Sequence, residues 1–229
     1  MYKWSILAVG LCVGGVLFAA LARHVAAESA GEACMTEPEV IELPCALRDT
    51  QMTVREIAAY EGPYWEDGSG EEVADVFALV VENTGGTVIL QGEIFLKTEY
   101  GVLEFEISWL PPEGVALIPE KNRASFCGAR ILECSGWNTT IYPEMTGAVT
   151  AEERGMGELV FVNRTTQPIS RVEAWYRPLD PQSEMYIGGS AQGVVLEDLQ
   201  PGEERAVLPF RYAKGYSKVV SILLSAEEE

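Results

Sequence analysis

The chain has 229 residues, a net charge of −19, 48% hydrophobic and 22% charged residues. That is too apolar and too lightly charged for a disordered chain, and long enough for one large core or two small ones. All 35 acidic residues lie beyond residue 23, so the field of the body repels phosphate backbones and anionic lipid heads, which argues against nucleic-acid binding.

The first predicted element is a hydrophobic helix. Lys3 precedes an uncharged run from Trp4 to Ala22, closed by Arg23 and His24. At the helical rise this run spans roughly 28 Å, the thickness of a hydrocarbon core, so membrane contact is expected through residues 4–22. Ala20-Leu21-Ala22 and Val25-Ala26-Ala27 also place small residues where a signal peptidase cuts. Residues 1–25 are therefore read as a signal-anchor or a signal peptide. With Lys3 held on the inner side, the rest is extracytoplasmic: membrane-anchored, or secreted if the leader is cleaved. Residues 26–43, small and acidic, read as a stalk or linker.

Cys12 falls inside the apolar run, whereas Cys34, Cys45, Cys127 and Cys134 lie in the exported part. An even number of cysteines in such a chain predicts two disulfides. Three connectivities are open, and the local pairing Cys34–Cys45 with Cys127–Cys134 closes the smallest loops. Neither pair has the short spacing of a zinc knuckle, so no metal and no cofactor are expected.

Beyond the stalk, alternation replaces helical periodicity. Residues 102–109 place Leu103, Phe105, Ile107 and Trp109 on one face and Glu104, Glu106 and Ser108 on the other, as in a half-buried strand. Residues 73–81, 87–97, 157–162, 169–176, 205–210 and 218–224 are further β-branched and aromatic runs bounded by turn residues. An internal echo runs through them. Leu79-Val80-Val81-Glu82-Asn83-Thr84-Gly85 matches Leu159-Val160-Phe161-Val162-Asn163-Arg164-Thr165 at an offset of 80, and after one further residue 88–95 lies over 169–176. Leu110-Pro111-Pro112-Glu113-Gly114 then answers Leu199-Gln200-Pro201-Gly202-Glu203. Repetition of a whole order of elements predicts two homologous β-domains: residues 44–140, with a cysteine-bearing extension, and 141–229.

This order of strand, Asn-Thr-Gly-Gly turn, strand, Leu-Pro-Pro-Glu-Gly turn and strand resembles the small immunoglobulin-like sandwiches of bacterial surface proteins, of the FxLYD and CARDB type. The resemblance covers about 54–126 and 145–224. It implies an all-β fold of two tandem immunoglobulin-like antiparallel β-sandwich domains after one N-terminal hydrophobic helix. It also implies an adhesive, scaffolding or spacer role at the cell envelope, and it brings no catalytic residues.

The only histidine is His24, which removes the Ser-His-Asp, Cys-His and histidine-zinc arrangements from the exported part. The chain is accordingly read as non-enzymatic, a binding, adhesive or spacer module for a protein or glycan partner. A structural subunit of a larger envelope assembly is one alternative. A carboxylate-dependent glycan hydrolase is another, because two acids of unknown spacing would suffice. The candidate ligand loop is Tyr64-Trp65-Glu66-Asp67-Gly68-Ser69-Gly70-Glu71-Glu72. There Tyr64, Trp65, Glu66, Asp67, Glu71 and Glu72 combine aromatics with oxygen donors, although the same stretch reads first as an exposed hairpin connection whose aromatics close the core. Asn138-Thr139-Thr140 and Asn163-Arg164-Thr165 are glycosylation sequons.

Overall fold

The computed structural model describes residues 40–142, 147–155 and 157–225. The apolar run at residues 4–22, Cys34 and most of the stalk lie outside them. Among the described residues no helix is long and apolar enough to cross a membrane, and the regular structure is all strand. The described part of Val40–Glu229 gathers into one compact unit.

Gly, Pro and Asn turns cut the chain into strands that fall into two series. The first comprises β1 (Cys45–Ala46), β2 (Met52–Tyr64), β3 (Glu71–Asn83), β4 (Val88–Thr98), β5 (Gly101–Leu110), β6 (Val115–Pro119) and β7 (Ile131–Ile141). The second comprises β8 (Val149–Arg154), β9 (Glu158–Asn163), β10 (Ile169–Asp180), β11 (Met185–Ile187), β12 (Gln192–Leu199), β13 (Glu204–Val207) and β14 (Ser217–Ser225). In the first, β3 pairs with β2 and β6, and β4 pairs with β5 and β7, all antiparallel. In the second, β9 pairs with β8 and β13, and β10 pairs with β12 and β14. The pairing scheme is thus the same twice. Only β1 and β11 fall outside it: β1 extends the edge beside β2, and β11 lies between β10 and β6, where its parallel pairing with β6 joins the two repeats.

Each repeat closes two sheets on an apolar filling, an arrangement that fits a β-sandwich. In the first repeat, Phe77, Leu79 and Val81 of β3 meet Ile94 and Leu96 of β4 and Phe105 and Ile107 of β5. In the second, Leu159 and Phe161 of β9 meet Val172, Ala174 and Tyr176 of β10 and Leu196 and Leu199 of β12. Each such side chain removed from water contributes about 1.5–3 kcal/mol. β3 is buried on its other face too, where Val76 and Ala78 lie under Tyr60, Tyr64 and the partly buried Ile187 of β11. That coverage explains why Val76–Val81 is an unbroken apolar run and not an alternating one.

The echo in the sequence has a specific cause. Asn83, fully buried, donates from Nδ2 to the carbonyls of Thr87 (2.8 Å) and Leu110 (3.0 Å) while its Oδ1 accepts from Gly85 N–H. Asn163, equally buried, donates to the carbonyls of Gln167 and Leu199, both at 2.9 Å, and accepts from Thr165 N–H. Its own carbonyl takes the N–H of Gly202, as that of Asn83 takes the N–H of Glu113. One amide therefore ties the β3–β4 turn to the end of β5, and its equivalent ties β9–β10 to β12. The Asn163 nitrogen that a glycan would use is spent on this latch. Ladder register also corrects the one-residue step in the echo: Ile89 pairs with Leu110 and Ile169 with Leu199, so no extra residue enters between the turn and the strand.

Candidate functional site

The candidate loop joins β2 to β3, and its acids point in different directions. Tyr64 is fully buried and its hydroxyl donates to the Glu120 carbonyl at 2.7 Å. Hydrogen bonds from Gly70 N–H to Tyr64 O and from Gly68 N–H to Trp65 O close the turn. Gly70 has φ +67°, and a Cβ there would lie 2.2 Å from the Trp65 ring, so glycine alone fits. On the outer side, Arg123 donates to Glu71 at 2.7 Å, to Ser69 Oγ at 2.8 Å and to Asp67, and lies 4.7 Å over the Tyr64 ring. The Ser69 N–H and Arg123 hold the Asp67 carboxyl below the usual range. Glu72 is exposed on β3, its backbone paired with Pro63. The six candidate residues are therefore not gathered round one point. No cluster of metal-ligating side chains occurs among the described residues.

Trp65 and Glu66 turn the other way, toward the second repeat. One Glu66 oxygen accepts the Gly189 N–H at 2.9 Å, and the other faces the Ser190 hydroxyl. Burial pushes its carboxyl above the ordinary value, against the opposing pull of the Gly189 N–H, the nearby Arg177 charge and Ser190. Arg211, from the β13–β14 connection, stacks its guanidinium 3.2 Å from the centre of the Trp65 ring, a cation–π contact. Its φ of +61° lies in the left-handed region, a conformation disfavoured for a side chain of that size. Burial lowers its basicity, and Tyr176, Glu66 and Tyr60 act the other way.

These residues wall a cleft of about 370 Å³. Leu117, Pro119, Pro178, Leu179 and Ile187 give it apolar lining, and Tyr60, Glu61, Glu66, Ser190, Gln192, Arg211 and Tyr216 supply polar groups. The Tyr60 hydroxyl donates to the Pro63 carbonyl, and burial, with the charges of Glu66 and Glu72, pushes its pKa up to about 12. A small apolar concavity with a few convergent polar groups of shifted ionisation is the usual form of a ligand site. No family model, curated protein or solved structure matches the chain.

Behind the cleft sits a buried cation that sequence reasoning missed. Arg177 of β10 has no exposed surface and donates to the carbonyls of Ser108, Gly189 (2.9 Å) and Gly188. Burial lowers its pKa to about 10, so it stays charged at neutral pH. Three carbonyls therefore compensate a full charge where the first repeat meets the second, and the parallel stack of Trp109 on Trp175, 4.7 Å between centres, seals the joint. Arg123, Arg177 and Arg211 carried no local signal, because each earns its role from partners distant in sequence.

Cys45, Cys127 and Cys134 are free thiols in the structure. The charge and hydrogen-bonding group felt by the Cys134 thiol is Cys45, a pairing other than the local one. The segment carrying β1 lies along β7, while Cys127 sits exposed in the connection that precedes β7.

Proposed function

We propose that this chain is a non-catalytic binding protein of the cell envelope, membrane-anchored through residues 4–22 or secreted, whose two tandem immunoglobulin-like sandwiches hold a protein partner in the cleft at their joint. The observation that carries this reading is the convergence of Glu66 from the first repeat and Arg211 from the second on one apolar-lined cleft. The leader supports the location. A peptide segment suits the cleft better than a sugar does, because the Trp65 ring that would stack on a sugar is already covered by Arg211 and Gly70. Arg211 would take a carbonyl or carboxylate of the ligand, Glu61 and Glu66 its N–H or ammonium groups, and Leu117, Pro119 and Ile187 its apolar side chain.

The test is crosslinking in native membranes followed by titration of the recovered partner against the parent and Arg211→Ala. The variant should keep its melting temperature and lose at least tenfold in affinity; unchanged affinity would move the contact away from the cleft.

A spacer role is the second reading. It is favoured by the Arg177 joint, which makes the two repeats a stiff unit suited to holding a terminus at a fixed distance. Recovery of no partner, with loss of assembly on shortening the chain, would favour it.

A further inference from the structure

The segment between residues 41 and 51 runs alongside β7 and touches it at three places. Ile41 N–H donates to the Ile131 carbonyl at 3.0 Å. Leu47 packs on Gly136 so closely that a Cβ there would meet Leu47 Cδ1 at 3.0 Å. Gln51 N–H donates to Asn138 Oδ1 at 3.1 Å. Cys45 lies between the first two contacts on one strand and Cys134 between them on the other. Side chains of β7 alternate in exposure: 133, 135 and 137 are exposed, while 132, 134, 136 and 138 share the half-buried face. Gly136 and Asn138 of that face already meet the 41–51 segment, so Cys134 points at it as well, toward the stretch that carries Cys45 between Ile41 and Leu47.

We propose that Cys45 and Cys134 form a disulfide that staples β1 to β7. β1 is the edge of one sheet and β7 belongs to the other, so the bond closes the side of the first repeat at which the chain enters from the stalk. The bridge would enclose most of the first repeat, and a long loop is where a cross-link most restricts the unfolded chain. It would also hold residues 41–51 to the fold when the stalk is pulled.

The chemistry balances with a disulfide as oxidant, either that of a thiol-exchange catalyst or oxidised glutathione. The Cys45 thiolate attacks one sulfur, forming a mixed disulfide and releasing one thiol. Cys134 then gives up its proton and displaces the second thiol. Two electrons and two protons pass from the cysteine pair to the oxidant, which leaves as two thiols. Burial, with Cys45 beside it, pushes the Cys134 thiol up to about 12, so it stays protonated at neutral pH and loses its proton only as it attacks the mixed disulfide.

The full chain, exported into an oxidising compartment, is alkylated without reduction and cut after glutamate. Such cleavage, which spares the Glu37–Pro38 bond, places Cys34, Cys45, Cys127 and Cys134 on separate fragments: 33–39, 43–56, 121–133 and 134–144. A linked 43–56/134–144 species that disappears with dithiothreitol is the expected result. Fragment 43–56 linked to 33–39, fragment 121–133 linked to 134–144, or alkylated thiols on both Cys45 and Cys134 would overturn the proposal. As a second measurement, dithiothreitol should lower the melting temperature of the parent by about 5–15 °C and leave Cys45→Ser unmoved. Equal responses of the two proteins would also overturn it, and should Cys45→Ser fail to fold, the fragment map decides alone.

Discussion

The same position of the repeat carries Lys97 in the first half and Arg177 in the second, as the aligned ladders of β4 and β10 place them. Lys97 is exposed and reaches Glu133 at 3.7 Å; Arg177 is sealed from solvent and binds three carbonyls. What differs is the connection that follows. β4 turns directly into β5 through Glu99 and Tyr100, whereas β10 is followed by an excursion, 181–191, that carries β11 across to β6 and lays Gly188 and Gly189 over the arginine. An identical sandwich plan thus yields a surface cation in one copy and a structural one in the other, through an insertion outside the plan. The β6–β7 and β13–β14 connections diverge likewise. The buried carboxylate of Glu120 accepts the N–H groups of Glu104, Asn122 and Ala124 and pins the first, while the second leaves Leu208 and Phe210 exposed and presents Arg211 to the cleft.

The largest effect is expected where this divergence is deepest. Arg177→Ala removes the guanidinium donor from three carbonyls at the joint, one buried and two partly buried, and opens a void there, and should cost about 3–5 kcal/mol in urea unfolding. Lys97→Ala, at the equivalent position, should change stability by less than about 0.5 kcal/mol. Similar costs for the two would mean that the joint contributes little beyond the single sandwich.

The Asn latch should behave oppositely, the same in both copies. Asn83→Asp and Asn163→Asp each replace a donor of two hydrogen bonds by an acceptor facing two carbonyls, so each should cost about 2–4 kcal/mol. Circular dichroism melts of the two variants should match. A large effect in one copy alone would show that the repeats do not rely equally on the feature that makes them look alike.

That latch is also why so much of the fold was legible. Asn83 and Asn163 must sit between an apolar strand and a tight turn, and the leucine whose carbonyl they hold must precede a Pro-containing turn, so the constraint is written into short segments. The alternation of Phe105, Ile107 and Trp109 against Glu104, Glu106 and Ser108 likewise followed from a single strand. β2 and β7, like β6, β8 and β12, were not picked out as runs. In β2, Glu56, Ala58, Ala59 and Gly62 dilute the pattern beside two register shifts; in β7, an edge strand, small and polar residues do the same. The site was legible only in part. Trp65 and Glu66 were singled out, but with Asp67 and Glu71 as companions, because nothing in residues 64–72 says that Arg123 will claim those two acids. The half of the cleft supplied by Arg211 and Tyr216 lies on the other repeat, and its approach depends on a docking that no local pattern encodes.

The smallest expected effect concerns the charge at that docking. The first repeat joins β2 to β3 by a loop long enough for Glu66 to reach Gly189 of the second, whereas β8 and β9 are joined by a short turn containing Gly155 and Gly157. The folded-state pKa of Glu66 is raised from an ordinary 4.5, first by burial. Above pH 4.5 the unfolded chain therefore gives up this proton while the folded chain keeps it, and the unfolded state binds fewer protons. The stability that Glu66 contributes is complete below pH 4.5 and is lost as the pH climbs through the raised value. Asp67, Asp180, Glu203 and Glu204 have lowered values and run the other way: their contribution is present above the ordinary carboxylate range and lost on acidification. A single pH profile mixes the two, but a difference profile separates them. Glu66→Gln keeps the carbonyl acceptor for Gly189 N–H and removes the titration. Urea midpoints of the parent, measured from pH 4 to pH 8, should therefore fall relative to those of Glu66→Gln as the pH rises. Parallel profiles would mean that the carboxylate reaches the second repeat without being desolvated by it, and that the first repeat's longer loop touches its partner without burying charge there.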